Sequence, residues 1–112
     1  MRELNFSFHV PQIKINGLVF DLKKSDIEIC EIAKNAQERL RGLNTEDVDE
    51  IISACKATAF DIDSILGDGA LAKIAGGKPI GIIKQIEILV AIASEGTREY
   101  IDYVKNEYLQ DE

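Results

Sequence analysis

The stretch from Ile80 to Tyr108 constrains this chain more than any other. It is apolar nearly all round between Ile80 and Ala93, interrupted only by Gly81, Lys84, Gln85 and Glu87. The stripe Ile82, Ile86, Leu89, Ala93 then runs on through Tyr100, Ile101, Val104 and Tyr108 without a change of phase. A 3.6-residue repeat sustained this far predicts one long helix, opened near Pro79. Gly96 is the place of any kink, since an interior glycine costs roughly 1 kcal/mol. Such a helix should be the most buried element of a 112-residue chain, and it is longer than a domain of this size needs to close its core.

The first 24 residues read as β. Leu4, Phe6, Phe8 and Val10 alternate with polar positions, the period of a half-buried strand, and Pro11 interrupts. Ile13-Lys14-Ile15, Asn16-Gly17 and Leu18-Val19-Phe20 then form a hairpin, because Asn-Gly tolerates the positive φ that a two-residue type I′ turn demands. Pairing across it sets Ile15 opposite Leu18 and Ile13 opposite Phe20, so Ile13, Ile15, Leu18, Phe20 and Leu22 share one face. Two strands are marginal alone, so helices must cover that face.

Ser25 and Glu28 make a capping box for a helix whose apolar stripe is Ile29, Ile32, Ala33, Ala36, Leu40 and Leu43. A second helix begins near Asn44 or Thr45, with acidic residues in its first turns and Val48, Ile51, Ile52, Cys55, Ala59, Ile62 and Leu66 as its stripe. Gly67 suits a left-handed cap at its end. Between Gly69 and Gly77 there is room for one short helix anchored by Leu71 and Ile74. The expected fold is therefore mainly α with an N-terminal β-hairpin (α+β), a small bundle of three to four helices packed on a short antiparallel hairpin. One domain spans 1–112, with a β segment at 1–24 and a helical part at 25–112, and a radius of gyration of roughly 13 Å if compact.

Composition narrows the function classes. The net charge of −7, which divides into +1 over residues 1–44 and −8 over residues 45–112, opposes a nucleic-acid-binding role, where neutralised phosphates supply most of the affinity. Aromatics make up only 6% and there is no Trp, so stacking platforms for single strands are few. The N-terminus has no apolar leader, and no run approaches the ~18 residues of a membrane span. Cys30 and Cys55 lie on the apolar sides of their helices, which reads as buried free thiols in a reducing cytosol.

Several strings imitate chemistry and fail. Gly67-Asp68-Gly69-Ala70-Leu71-Ala72 has dinucleotide-loop spacing but follows a helix and not a strand. Gly76-Gly77-Lys78 lacks the phosphate loop's leading glycine and has Pro79 where Ser or Thr should hold magnesium. Asp61-x-Asp63 opens like a calcium loop, but Ile65 and Leu66 fill the next ligand and glycine positions. A lone His9 supports neither a triad nor a zinc site, and no polar residue is marooned in an apolar run. No catalytic, metal or cofactor-binding residue is therefore expected, nor a small-molecule substrate.

Five of the eight glycines fall between positions 67 and 81. The hairpin with its Asn-Gly turn, the two amphipathic helices, and Ile62-Asp63-x-Ile65-Leu66-Gly67-Asp68-Gly69-x-x-x-Lys73-Ile74-x-Gly76-Gly77 before a final apolar helix resemble the tail assembly chaperones of long-tailed bacteriophages and prophages of Gram-positive hosts. The likeness spans most of residues 12–109 and is sharpest at 62–77, while Met1 to Pro11 lies outside the family pattern. The resemblance implies an acidic, non-enzymatic protein of the host cytoplasm, absent from the mature virion. It implies a partner, the tape measure protein, whose hydrophobic helix the chaperone keeps soluble while the tail tube assembles, and it implies self-association. Candidates for the partner surface are Ile83, Val90, Ile101 and Tyr108 on the outer side of the last helix, with Ile27, Phe60 and Ile88 as further off-stripe residues. The competing expectation is a small acidic adaptor or inhibitor that binds a host or phage protein.

Overall fold

A computed structural model describes residues 1–108. Strands β1 (Gln12–Ile15) and β2 (Leu18–Asp21) pair antiparallel with Ile13 opposite Phe20 and Ile15 opposite Leu18, the expected register. Asn16 at φ 51° and Gly17 at φ 82° make the turn between them. Four helices follow: α1 (Asp26–Arg41), α2 (Val48–Leu66), α3 (Ala70–Ala75) and α4 (Ile82–Tyr108). This is the α+β architecture expected, a helical bundle resting on a short hairpin.

The capping box forms as the sequence predicts: the Ser25 hydroxyl accepts from Glu28 N–H at 3.2 Å, and the Glu28 carboxylate accepts from Ser25 N–H at 3.2 Å. The second helix starts later than expected. Asn44 Oδ1 accepts from Glu46 N–H at 3.0 Å in a local turn, and Asp47 becomes the N-cap by accepting from Glu50 N–H at 3.1 Å. Pro79 precedes α4 in a loop instead of opening it. Gly96 does not end α4, which continues as a single helix through it.

Ile13, Phe20 and Leu22 from the hairpin meet Ile29, Ala33 and Ala36 of α1 in the core, with Ile62 and Ile65 of α2 and Ile86, Leu89 and Ile92 of α4. Three stripes differ from expectation. On the hairpin, Leu18 at the turn end is exposed and Ile15 opposite it only half-buried. On α2 the buried line is Ala54, Thr58, Ile62 and Ile65, which leaves Val48 and Ile52 in solvent. On α4, the main contacts come from α1, α2 and β1, while Ile83, Val90, Ile101 and Val104 are exposed, so the helix is not buried all round. Cys30 is exposed and Cys55 half-buried, so neither thiol is the core residue expected.

The N-terminal segment forms no strand. Leu4, Phe6, Phe8 and Val10 are all exposed, and what ties the segment down is His9 stacked on Tyr103 of α4, ring centres 4.1 Å apart. Pro11 is buried, and its carbonyl accepts from Leu22 N–H at 2.9 Å. This segment and the part of α4 past Tyr100 project beyond the bundle. The radius of gyration is therefore 16.8 Å, and the molecule measures 60 × 30 × 30 Å.

Candidate protein-interaction surface

The glycine-rich segment that carries the family likeness forms a structural corner. Gly67, at φ 117° and ψ 157°, ends α2 in an extended left-handed conformation and not the helical one expected, while Gly69 and Gly76 are left-handed at φ 79° and 59°. Ile65, Leu66 and Ile74 are core residues; Asp68, Lys73, Gly76 and Gly77 face solvent. The carboxylate of Asp63, one turn before the end of α2, reaches across the corner. It accepts from Gly69 N–H at 3.1 Å and Leu71 N–H at 2.9 Å, so it caps α3 from the neighbouring helix. From the other side Asn16 of the hairpin turn donates to the Ile74 carbonyl at 3.2 Å. The spacing of this segment is thus set by two helix ends and one long-range cap.

Among the described residues no three of His, Cys, Asp and Glu are placed to hold a metal ion, and no helix is long and apolar enough to cross a membrane. The most organised polar cluster joins α1 to α2: Arg39 donates to Thr58 Oγ1 at 2.9 Å and to Asp61 Oδ2 at 3.3 Å, while Thr58 donates to the Ala54 carbonyl at 2.8 Å. Burial raises the Asp61 pKa above the usual carboxylate value, and Arg39 pulls it the other way with less effect. Contrary to expectation, polar side chains do lie in the core: Thr58 and Gln85 are buried, and Gln85 Oε1 has no hydrogen-bond partner.

The apolar residues left outside the core organise along α4. Ile83, Val90 and Ile101 are 65%, 38% and 46% exposed. At 100° per residue they fall within roughly 20° of one line, well round the helix from Leu89 and Ile92. Tyr108 falls on the same line, but its side chain lies outside the described residues. Ile27 and Phe60 are exposed as expected, whereas Ile88 is partly buried against the core. Beside the stripe, Ala33, Lys34 and Gln37 of α1 and Val90, Ala93 and Thr97 of α4 border an open groove of roughly 420 Å³. Tyr100 fastens the helix just beyond it by donating to the Lys24 carbonyl at 3.1 Å. Past Tyr100 the helix leaves the bundle with Ile101 and Val104 in solvent. The sequence marks the line itself by its heptad and eleven-residue spacings; the groove depends on which face α1 turns towards α4. No family model, curated protein or solved structure matches the chain.

Proposed function

We propose that this protein is a tail assembly chaperone of a long-tailed phage or prophage, acting in the host cytoplasm. It binds the hydrophobic helix of a tape measure protein and keeps it soluble during tail tube assembly. The observation that carries the reading is the exposed line Ile83, Val90, Ile101 on a helix that outruns its own core, joined to the sequence likeness at residues 62–77. An apolar client helix laid along that line, with a row in the α1–α4 groove, would be read by residues three, four and seven apart. The role needs no reaction: solubility comes from a net charge of −7.

Co-expression with the adjacent long open reading frame tests this directly. An otherwise insoluble client should become a soluble complex containing more than one copy of this chain. Val90→Glu and Ile101→Glu should abolish the complex and leave the fold intact, since both side chains are already in contact with water. A client that is equally soluble without the protein refutes the chaperone reading and leaves the acidic inhibitor as the better one.

A further inference from the structure

One edge of β1 meets no backbone partner among the described residues, and the N-terminal segment leaves four apolar side chains in solvent. In the β1–β2 ladder, Ile15 and Leu18 close a two-residue turn and so form a hydrogen-bonded pair, as do Ile13 and Phe20 by alternation. Leu22 N–H bonding the Pro11 carbonyl continues the same parity. Gln12 and Lys14 therefore point their backbone N–H and C=O away from β2, and no backbone group among the described residues meets them. That edge is one wall of a groove of about 350 Å³, with Ile13 and Ile15 on the strand side and Ile88 and Ile92 from α4. Glu87 and Glu95 line its α4 side, and Glu99 extends the same i, i+4 ridge beside Gln12.

The segment that fits this edge is present in the chain. Leu4, Phe6, Phe8 and Val10, exposed by 77%, 74%, 89% and 56%, put every second side chain on one face of an extended strand. A strand added so that Phe6 and Phe8 oppose Ile13 and Ile15 lays those rings on the apolar side of the groove; a one-residue slip returns them to water. Arg2 brings positive charge to the glutamate ridge. In this structure the segment does not fill the edge of its own chain: residues 4–10 form no strand, and His9 stacks instead on Tyr103 of α4.

We propose that two copies of this protein exchange their N-terminal segments reciprocally, residues 4–10 of each adding a strand to the free edge of β1 in the other. Each Phe offers roughly 150–250 Å². With Leu4 and Val10, two exchanged segments place on the order of 1,200 Å² in the contact, the lower range of specific interfaces. The exchange rests on the self-association included in the chaperone reading and not on the identity of any client.

Sedimentation equilibrium of the full-length chain should give twice 12.4 kDa. Phe6→Glu with Phe8→Glu should halve that mass without lowering the melting temperature, since both rings are already exposed. Lys14→Pro should halve it too, because the N–H it removes faces away from the β2 ladder. An equimolar mixture of these two variants, one with a sound edge and one with a sound segment, keeps one of the two exchanges and should show a heterodimer, weaker than the wild-type dimer, that neither variant forms alone. If Lys14→Pro loses its circular dichroism, Ala91→Arg on the exposed opposite wall replaces it. A wild-type chain that stays monomeric at several hundred micromolar overturns the exchange. So does a dimer that survives the Phe6/Phe8 change, or one that Val90→Glu alone dissociates. Loss of client solubilisation with the dimer intact would count against the chaperone reading only.

Discussion

Gly96 offers the sharpest test of how α4 is seated. In an exposed helix interior, replacing glycine by alanine gains roughly 1 kcal/mol from backbone entropy alone. Here a Cβ would stand 3.2 Å from Leu22 Cδ1 and 3.7 Å from Ile29 Cδ1, at the point where α4 crosses both the exit of the hairpin and the start of α1. The alanine methyl therefore requires Leu22 to give by a few tenths of an ångström, and that cost offsets the helical gain. Gly96→Ala should change stability by less than about 1 kcal/mol. Gly96→Val adds two γ-methyls beside atoms already in contact, so overpacking should cost about 2–3 kcal/mol. For a chain of this size that lowers the melting temperature by roughly 8–12 °C. Urea melts read by circular dichroism give the difference, with an unchanged m-value expected for both variants. A Gly96→Val protein as stable as wild type would show that α4 does not lie against Leu22, and the packing of the hairpin on the bundle would have to be redrawn.

The Arg39–Asp61 pair should be asymmetric. Asp61→Asn should cost at most about 0.5 kcal/mol, because burial opposes the charge that Arg39 favours, whereas Arg39→Met strands a partly buried carboxylate and should cost about 1–3 kcal/mol. With its folded pKa raised above 3.8, Asp61 contributes stability that is full below the unfolded pKa and is lost as pH rises through the folded value. Asp61→Asn should flatten the stability curve in that window, and urea midpoints that fall no less steeply in the variant would count against the assignment. Asp63→Ala removes the cap from two α3 amides and should cost about 0.5–2 kcal/mol, with amide exchange at Gly69 and Leu71 quickened first. Unchanged exchange there would mean that α3 is held by Ile74 alone. Gly17→Val should destabilise by about 1–2 kcal/mol through φ strain alone, since the site has open space for a Cβ; an unaltered melting temperature would exclude the type I′ turn.

Where local rules act within a few residues, the fold was legible before the structure. The Asn16-Gly17 turn, the Ser25–Glu28 box and the helical phase through Gly96 each depend on spacing that the chain displays directly. Legibility failed where a position's fate depends on a distant neighbour. Val48 and Ile52 carry a good helical stripe, but the buried line of α2 is centred on Ala54 and Thr58, where the Thr58 hydroxyl accepts from Arg39 of α1. Nothing in the sequence reveals that Arg39 and Thr58 meet. Asp63 is the same case: it reads as a solvent-facing carboxylate until α3 folds back beneath it. The alternation at Leu4 to Val10 predicted a strand by periodicity, yet a strand also needs a partner, and residues 4–10 pair with no backbone among the described residues.

That last mismatch bears on function more than the agreements do. A chain whose core is closed by Ile29, Ile62, Ile65, Leu89 and Ile92, each at most 1% exposed, has no need of further apolar side chains in solvent. Scattered exposed aliphatics are ordinary on any protein surface. Two sets here are not scattered: the line Ile83, Val90, Ile101 keeps helical phase over 19 residues, and the N-terminal set keeps strand phase over seven. Each set has the period of an element ready to pair and lies outside the intramolecular core. The two periods call for different partners, a helix for α4 and a sheet edge for the N-terminal segment. A single self-association event could not satisfy both. A protein that paired with its own kind through the strand and with a helical client through α4 would use both, and the two proposed contacts would fall on different sides of the same helix, so neither need block the other.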